Sequence, residues 1–163
     1  MNYALEPLRE EHRRPVMEIF NHFIRNTFAA YPEAPLSESA YDQLLAVATR
    51  YPAAVVKDGG QQIVGFAFLQ PYHAADSFRR TAVATYFILP DHTRKGIGTM
   101  ILDAFVSEAR EKGLEHILVN ISSLNPGSIE FHRKNGFRKC GTFEDIGIKT
   151  GKKFSVVWMA RTL

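Results

Sequence analysis

The chain has 163 residues, 45% of them hydrophobic and 23% charged, which suits a single domain, residues 1–163, with a genuine core. A net charge of +3 is too mild for a nucleic-acid binder, although one basic patch could hold a phosphate-bearing ligand. No apolar run approaches the ~18 residues of a membrane span, the first residues do not read as a signal peptide, and the lone Cys140 excludes an internal disulfide. The expectation is a reduced, cytoplasmic protein with neither membrane nor nucleic acid as partner, and with Cys140 a small buried hydrophobe.

Asn2 to Leu8 reads as a short strand. Glu10 to about Asn26 reads as a helix, with Val16, Ile19, Phe20, Phe23 and Ile24 at steps of three and four. A loop carrying Pro32 and Pro35 follows, and Ser37 is placed to cap a second helix with Tyr41, Leu44, Leu45, Val47 and Ala48 on its apolar face. Ala53–Lys57 and Gln62–Gln70 are strands about the turn Asp58-Gly59-Gly60. Pro71 to Arg80 is a polar loop, and Thr81 to Leu89 a long strand.

From Ile97 a helix shows Ile97, Ile101, Leu102, Phe105, Val106 and Ala109 as one stripe, stopped by Gly113. Leu114 to Ile121 is an apolar strand suited to a sheet interior. Asn125-Pro126 opens a short helix, Asn as N-cap and Pro at its first position, ended by Asn135-Gly136. Phe137–Phe143 and Lys153–Thr162 close the chain as an antiparallel pair joined by a loop around Gly147 and Gly151. The order β, α, α, β, β, β, α, β, α, β, β predicts an α/β (α+β) fold, a mixed sheet with helices on both faces.

The chemistry concentrates between Tyr86 and Leu102. A strand runs into the turn Pro90-Asp91-His92-Thr93-Arg94-Lys95, and Gly96-Ile97-Gly98-Thr99 then opens a helix. Free backbone N–H groups and the positive end of the helix dipole meet there, glycine lets an anion approach the backbone, and Arg94 and Lys95 add charge. The alternative is a plain strand–helix turn with solvated basic residues. The turn lacks the Lys-Ser/Thr of a Walker A loop, and Ile101 stands where a dinucleotide fingerprint needs a third glycine. No His-x-x-x-His or comparable spacing implies a metal.

The turn, Asn125-Pro126-Gly127-Ser128-Ile129 and His132-Arg133-Lys134-Asn135-Gly136-Phe137 together resemble the GNAT superfamily of acetyl-CoA-dependent N-acetyltransferases. Ile19-Phe20-Asn21, Ile148-Lys149-Thr150-Gly151-Lys152 and Trp158-Met159 are similar to its phosphinothricin acetyltransferase branch, where dimers are common. The resemblance implies a mostly antiparallel sheet in which the strand before the turn parts from the next, Leu118 to Ile121, with the pantetheine arm of acetyl-CoA in the gap. It implies that the amides of Arg94, Lys95, Gly96, Ile97, Gly98 and Thr99 bind the pyrophosphate. It also places Asn125 and Ser128 beside the arm, and a backbone N–H near Phe87 or Ile88 on the thioester carbonyl. Asn125 is equally explained as a helix cap. His132 stands where many relatives place the tyrosine that protonates the leaving thiolate; with an ordinary pKa near ~6.5 it could do so, or it could be a surface histidine.

The pattern departs from the superfamily at several positions. The turn has Thr93 where relatives carry Arg or Gln. On the acceptor side, Val83 replaces a glutamate, Phe87 a tyrosine, Ala34 a loop glutamate beside Glu33, and Phe154 and Ser155 a polar pair. Attack on a thioester needs a neutral amine, so a base or water chain must take its proton; Glu33, His73, Asp76 and Tyr86 are the candidates. The reaction implied is direct acetyl transfer to the primary amine of an amino-acid-like small molecule. The alternatives are acetylation of a protein amine and a non-catalytic acyl-CoA-binding module.

Overall fold

The computed structural model describes residues 2–163. Seven strands, β1 (Ala4–Pro7), β2 (Ala53–Lys57), β3 (Ile63–Pro71), β4 (Thr81–Ile88), β5 (His116–Ser122), β6 (Arg138–Lys149) and β7 (Lys152–Thr162), form one sheet in the order β1-β2-β3-β4-β5-β7-β6. Every neighbouring pair is antiparallel except β4 and β5, the crossover pair joined through a helix.

Period-two alternation assigns the strands' side chains to two cores. On β3, Phe66 and Phe68 point to one face, and Ala67 and Leu69 to the other. Helices α1 (Arg13–Asn26) and α2 (Tyr41–Ala48) cover the first face, where Val16, Met17, Ile24 and Tyr41 pack on Val55, Phe66 and Phe87. Helix α3 (Ile97–Glu111) covers the second with the predicted stripe Ile97, Ile101, Leu102, Phe105, Val106 and Ala109. Helix α4 (Pro126–Lys134) sits beside it, over β5 and β6.

The helix starts differ from expectation. A 3-10 turn, Glu10–His12, precedes α1, and another, Glu38–Ala40, precedes α2. Ser37 does not cap: its hydroxyl bonds Ser39 instead, a local competition open to short polar side chains. Cys140 is exposed, not buried, because it lies on the edge strand β6.

The largest departure is at the end of the chain. The expected loop around Gly147 is strand: β6 continues to Lys149 through a slip between Phe143 and Gly147 that bulges Glu144, Asp145 and Ile146 out of register. Only Thr150 and Gly151 lie between Lys149 and its partner Lys152, both with positive φ (51° and 77°), as a two-residue hairpin turn requires. A side chain at Gly147 would run into the Phe154 ring.

This long hairpin fastens the α1–α2 loop. The Lys149 ammonium, 3% exposed, donates to the carbonyls of Thr27 (2.7 Å) and Ala30 (2.6 Å). Tyr31 stacks on Phe154 with ring centroids 5.6 Å apart. Replacing Lys149 by Met strips both carbonyls of their donor, so urea unfolding should show a loss of about 1–3 kcal/mol; unchanged stability would mean that water reaches those carbonyls.

Candidate active site

The turn after β4 has the backbone geometry of an anion cradle. Arg94 (φ 59°) and Gly96 (φ 81°) both take left-handed backbone, which turns successive N–H groups outward before α3 begins. Thr93 N–H bonds Pro90 O and Met100 N–H bonds Gly96 O, but the six amides between them, Arg94 through Thr99, donate to no acceptor among the described residues. Their partner must come from outside, and the helix dipole favours an anion. The side chains are less committed than expected: Lys95 Nζ donates to Asp91 O at 2.6 Å. The two glycines also divide their work. Gly96 supplies the left-handed backbone, whereas Gly98 admits Phe131 of α4, whose ring would lie 2.9 Å from a Cβ there. Gly98 is therefore a packing glycine as well as part of the open turn.

Beside the cradle the sheet opens. β4 and β5 pair only at Thr81–His116, Ala82–Ile117 and Val83–Leu118 and then part. The resulting slot is lined by Ala84, Thr85 and Tyr86 on one strand, Val119 to Ser122 on the other, and Asn125, Ser128 and His132 from α4. Backbone direction in β4 follows from its bonds. Leu89 N–H goes to Val64 on β3, Thr81 O accepts from Tyr72 on the same side, and the β3–β4 register has no bulge. Odd residues thus face β3, and the polar groups of Ala84, Tyr86 and Ile88 face the slot. Of the two residues expected to polarise a thioester, Ile88 aims its amide at the slot. Phe87 turns its main chain to β3 and its side chain into the α1–α2 core.

Helix α4 begins as expected, with Asn125 Oδ1 accepting from Ser128 N–H at 3.3 Å. One turn on, His132 is 2% exposed, so the surface alternative is excluded. Its Nδ1 lies 2.8 Å from Ser128 O. A carbonyl only accepts, so Nδ1 carries the proton and Nε2 is a bare acceptor. Nε2 is buried with no hydrogen-bond partner among the described residues, and so is the Tyr86 hydroxyl. Burial pushes the His132 imidazole down to about 4, against a smaller upward pull from the Ser128 carbonyl, so it holds no spare proton near neutrality. Burial pushes the Tyr86 phenol well above its usual range, which keeps it protonated. The facing of these two groups could have been read from periodicity. Tyr86 shares parity with Ala84 and Ile88 on β4, and His132 lies four residues after Ser128 on α4.

The remaining candidates lie apart from the slot. Glu33 is exposed on the α1–α2 loop, and its Oε1 accepts from Thr150 N–H at 2.9 Å, so it helps dock the hairpin. His73 and Asp76 are on the exposed loop before β4, and His73 Nδ1 accepts from Ala75 N–H. Val83 is the last β4 residue paired to β5, at the point where the slot opens. The bulge of β6 supplies a carboxylate that sequence patterning gave no reason to single out: Glu144 Oε2 accepts from the Ser155 hydroxyl at 3.2 Å, and that hydroxyl accepts from Asp145 N–H. Among the described residues no cluster of three or more His, Cys, Asp or Glu could hold a metal, and no helix is long and apolar enough to cross a membrane.

An amide-lined turn opening into a parted sheet has the form of a site for a coenzyme A thioester, and the open amides and the slot both fit that ligand. The Acetyltransferase (GNAT) family model matches residues 16–137, and the chain belongs to that family; it is an N-acetyltransferase that uses acetyl-CoA as co-substrate. It is 27% identical to a phosphinothricin N-acetyltransferase of Streptomyces coelicolor over 98% of this chain and 95% of that one. It is 28% identical to an L-methionine sulfoximine/L-methionine sulfone acetyltransferase of Pseudomonas paraeruginosa over 91% and 87%. The crystal structure of a GNAT phosphinothricin acetyltransferase from Sinorhizobium meliloti in complex with acetyl-CoA superimposes with a TM-score of 0.95 at 25% identity, covering 100% of this chain and 89% of that one.

Two outcomes follow from these contacts. Gly98→Ala should lower both stability and affinity for coenzyme A, and adding Phe131→Leu should restore much of each; calorimetry and thermal melts on the single and double variants measure this, and a Gly98→Ala chain as tight and stable as the parent contradicts it. The neutral His132 stabilises the fold above pH ~6.5, its value when unfolded, and that contribution, on the order of 3 kcal/mol, is lost as pH falls from there toward the folded value. Acid unfolding curves of the parent and of His132→Asn should therefore converge as pH falls from ~6.5 to about 4, and parallel curves would refute the assignment.

Proposed function

We propose that the enzyme transfers the acetyl group of acetyl-CoA to the primary amine of a small, amino-acid-like acceptor by direct attack in a ternary complex. The observation that carries this is the continuity of the cradle with the slot: one end offers six unpartnered amides, the other a strand edge that can pair with an extended arm. In this reading the amides of Arg94 to Thr99, with the charge of Arg94 and Lys95, hold the diphosphate. Asn125 and Ser128 flank the arm, and Ile88 N–H polarises the carbonyl, replacing a strand partner at no reorganisation cost.

The acceptor side is supported by the relatives' names, phosphinothricin and L-methionine sulfoximine or sulfone. Proton removal from the amine falls to a carboxylate acting through water, and Glu33, on the loop that Lys149 fastens, is the proposed base; Tyr86 and His132 act at the thioester end. With Val83 and Phe154 in place of polar groups, the acceptor site favours a more apolar amino acid than those relatives take. A cytoplasmic setting is supported by the single free thiol of Cys140, and a homodimer by the exposed apolar side chains of Tyr72, Phe143, Ile146 and Ile148.

Mixing the protein with acetyl-CoA and a panel of amino acids, their analogues and simple amines should release free thiol, fastest with the amino-acid-like members, and Glu33→Gln should lower that rate by about 10²-fold or more. Absence of coenzyme A binding by calorimetry would end the reading, and turnover confined to peptide N-termini would move the acceptor to a protein amine.

A further inference from the structure

We propose that Tyr86 and His132 form a donor–acceptor pair that holds the sulfur of coenzyme A, with the Tyr86 hydroxyl as the group that hydrogen-bonds the thiolate as the thioester breaks. This rests on the acetyl-CoA reading above and adds to it the identity of the group that meets the leaving atom.

Two orphaned atoms carry the inference. The Tyr86 hydroxyl and His132 Nε2 are both buried, both without a partner among the described residues, and both belong to residues lining the same slot, their rings 5.6 Å apart. Leaving either unsatisfied costs about 1–3 kcal/mol, which a native chain rarely tolerates twice in one place unless a ligand relieves it. Their characters are fixed by their surroundings. Nδ1 is committed as a donor to Ser128 O, so Nε2 can only accept. The phenol is neutral and free to donate; the one charge acting on it is the Arg161 guanidinium of β7, which is itself tied to Asn135 O.

Two other polar atoms of the slot are already committed. Asn125 Oδ1 takes Ser128 N–H, and Ser122 Oγ takes Leu124 N–H. The amides of the arm can pair with the unpaired main chain of Ala84, Tyr86 and Ile88, which needs no side chain. Sulfur is the part of the ligand that needs an acceptor when it is a thiol and a donor when it is a thiolate, and the pair offers one of each.

During transfer the amine nitrogen bonds to the carbonyl carbon, the carbon–sulfur bond breaks, and its electron pair moves onto sulfur. The proton that nitrogen loses ends on sulfur. A thioester sulfur accepts hydrogen bonds poorly and a thiolate accepts them well, so the Tyr86 O–H contributes more in the transition state than in the ground state, without itself ionising. His132 Nε2 then receives the S–H of the product. The phenol reaches the slot from the strand opposite α4, and the histidine is its complement.

The test is Tyr86→Phe, which keeps the ring and removes the hydroxyl. The pH dependence of thiolate absorbance of bound coenzyme A should show the thiol titrating about one unit higher in the variant, since a hydrogen bond to a charged group is lost. Affinity for coenzyme A lacking its thiol should not change between parent and variant. The nitrogen resonance of His132 Nε2 should move upfield when coenzyme A binds and stay put with the form lacking the thiol. Turnover should fall about 10–100-fold. The same thiol titration in parent and variant overturns the proposal. So does an equal loss of affinity for both forms of the ligand, which would place the hydroxyl on an amide of the arm. A parent chain whose bound thiol titrates as expected but which acetylates no amine would sink the proposed function and leave the pair standing.

Discussion

The structure depends on β4 and β5 pairing for three residues and then separating. A sheet interior that parts leaves N–H and C=O groups facing each other across empty space, a costly arrangement unless something polar fills it. The chain does not close the gap. β5 instead pairs along its whole length with β7, which holds it in place while β3 holds β4. Each strand is rigid because its far edge is fully paired, so the slot between them is preorganised.

The helices exploit the same parting. α3 packs its apolar stripe under β4 and β5 and brings its amino end to the mouth of the slot, where six amides lack acceptors. α4 seals the slot's side and is pressed against α3 through the ring of Phe131, which needs the bare backbone of Gly98. Anion cradle, slot and the Tyr86–His132 contact are therefore one packed unit. A disturbance at the glycine reaches the histidine through the adjacent phenylalanine, whose ring lies 5.0 Å from the imidazole.

The region around the α1–α2 loop is built on different physics. No strand edge defines it; it is assembled by a loop, a hairpin and a buried ammonium. Lys149 satisfies two loop carbonyls and Glu33 one hairpin amide, while Tyr31 stacks on Phe154 and Phe28 meets that ring edge-on. Such an assembly can change its side chains without disturbing the slot.

The sequence alone determined the element order, the α3 stripe, the Asn125 cap and the open glycine turn before α3. These are local: periodicity, capping chemistry and glycine geometry act within a few residues, and the family resemblance added the parted strands. What crosses the chain needed the tertiary structure. Cys140 is exposed because β6 lies at the sheet's edge, and the expected loop at Gly147 is strand because β7 offers a partner through a bulge. His132 changes from an ordinary histidine to a neutral acceptor because burial against Tyr86, Phe131 and Phe137 removes the water that would support its charge. Burial, register and which bare atoms meet are set by contacts between residues tens of positions apart, and those contacts leave no mark on local spacing.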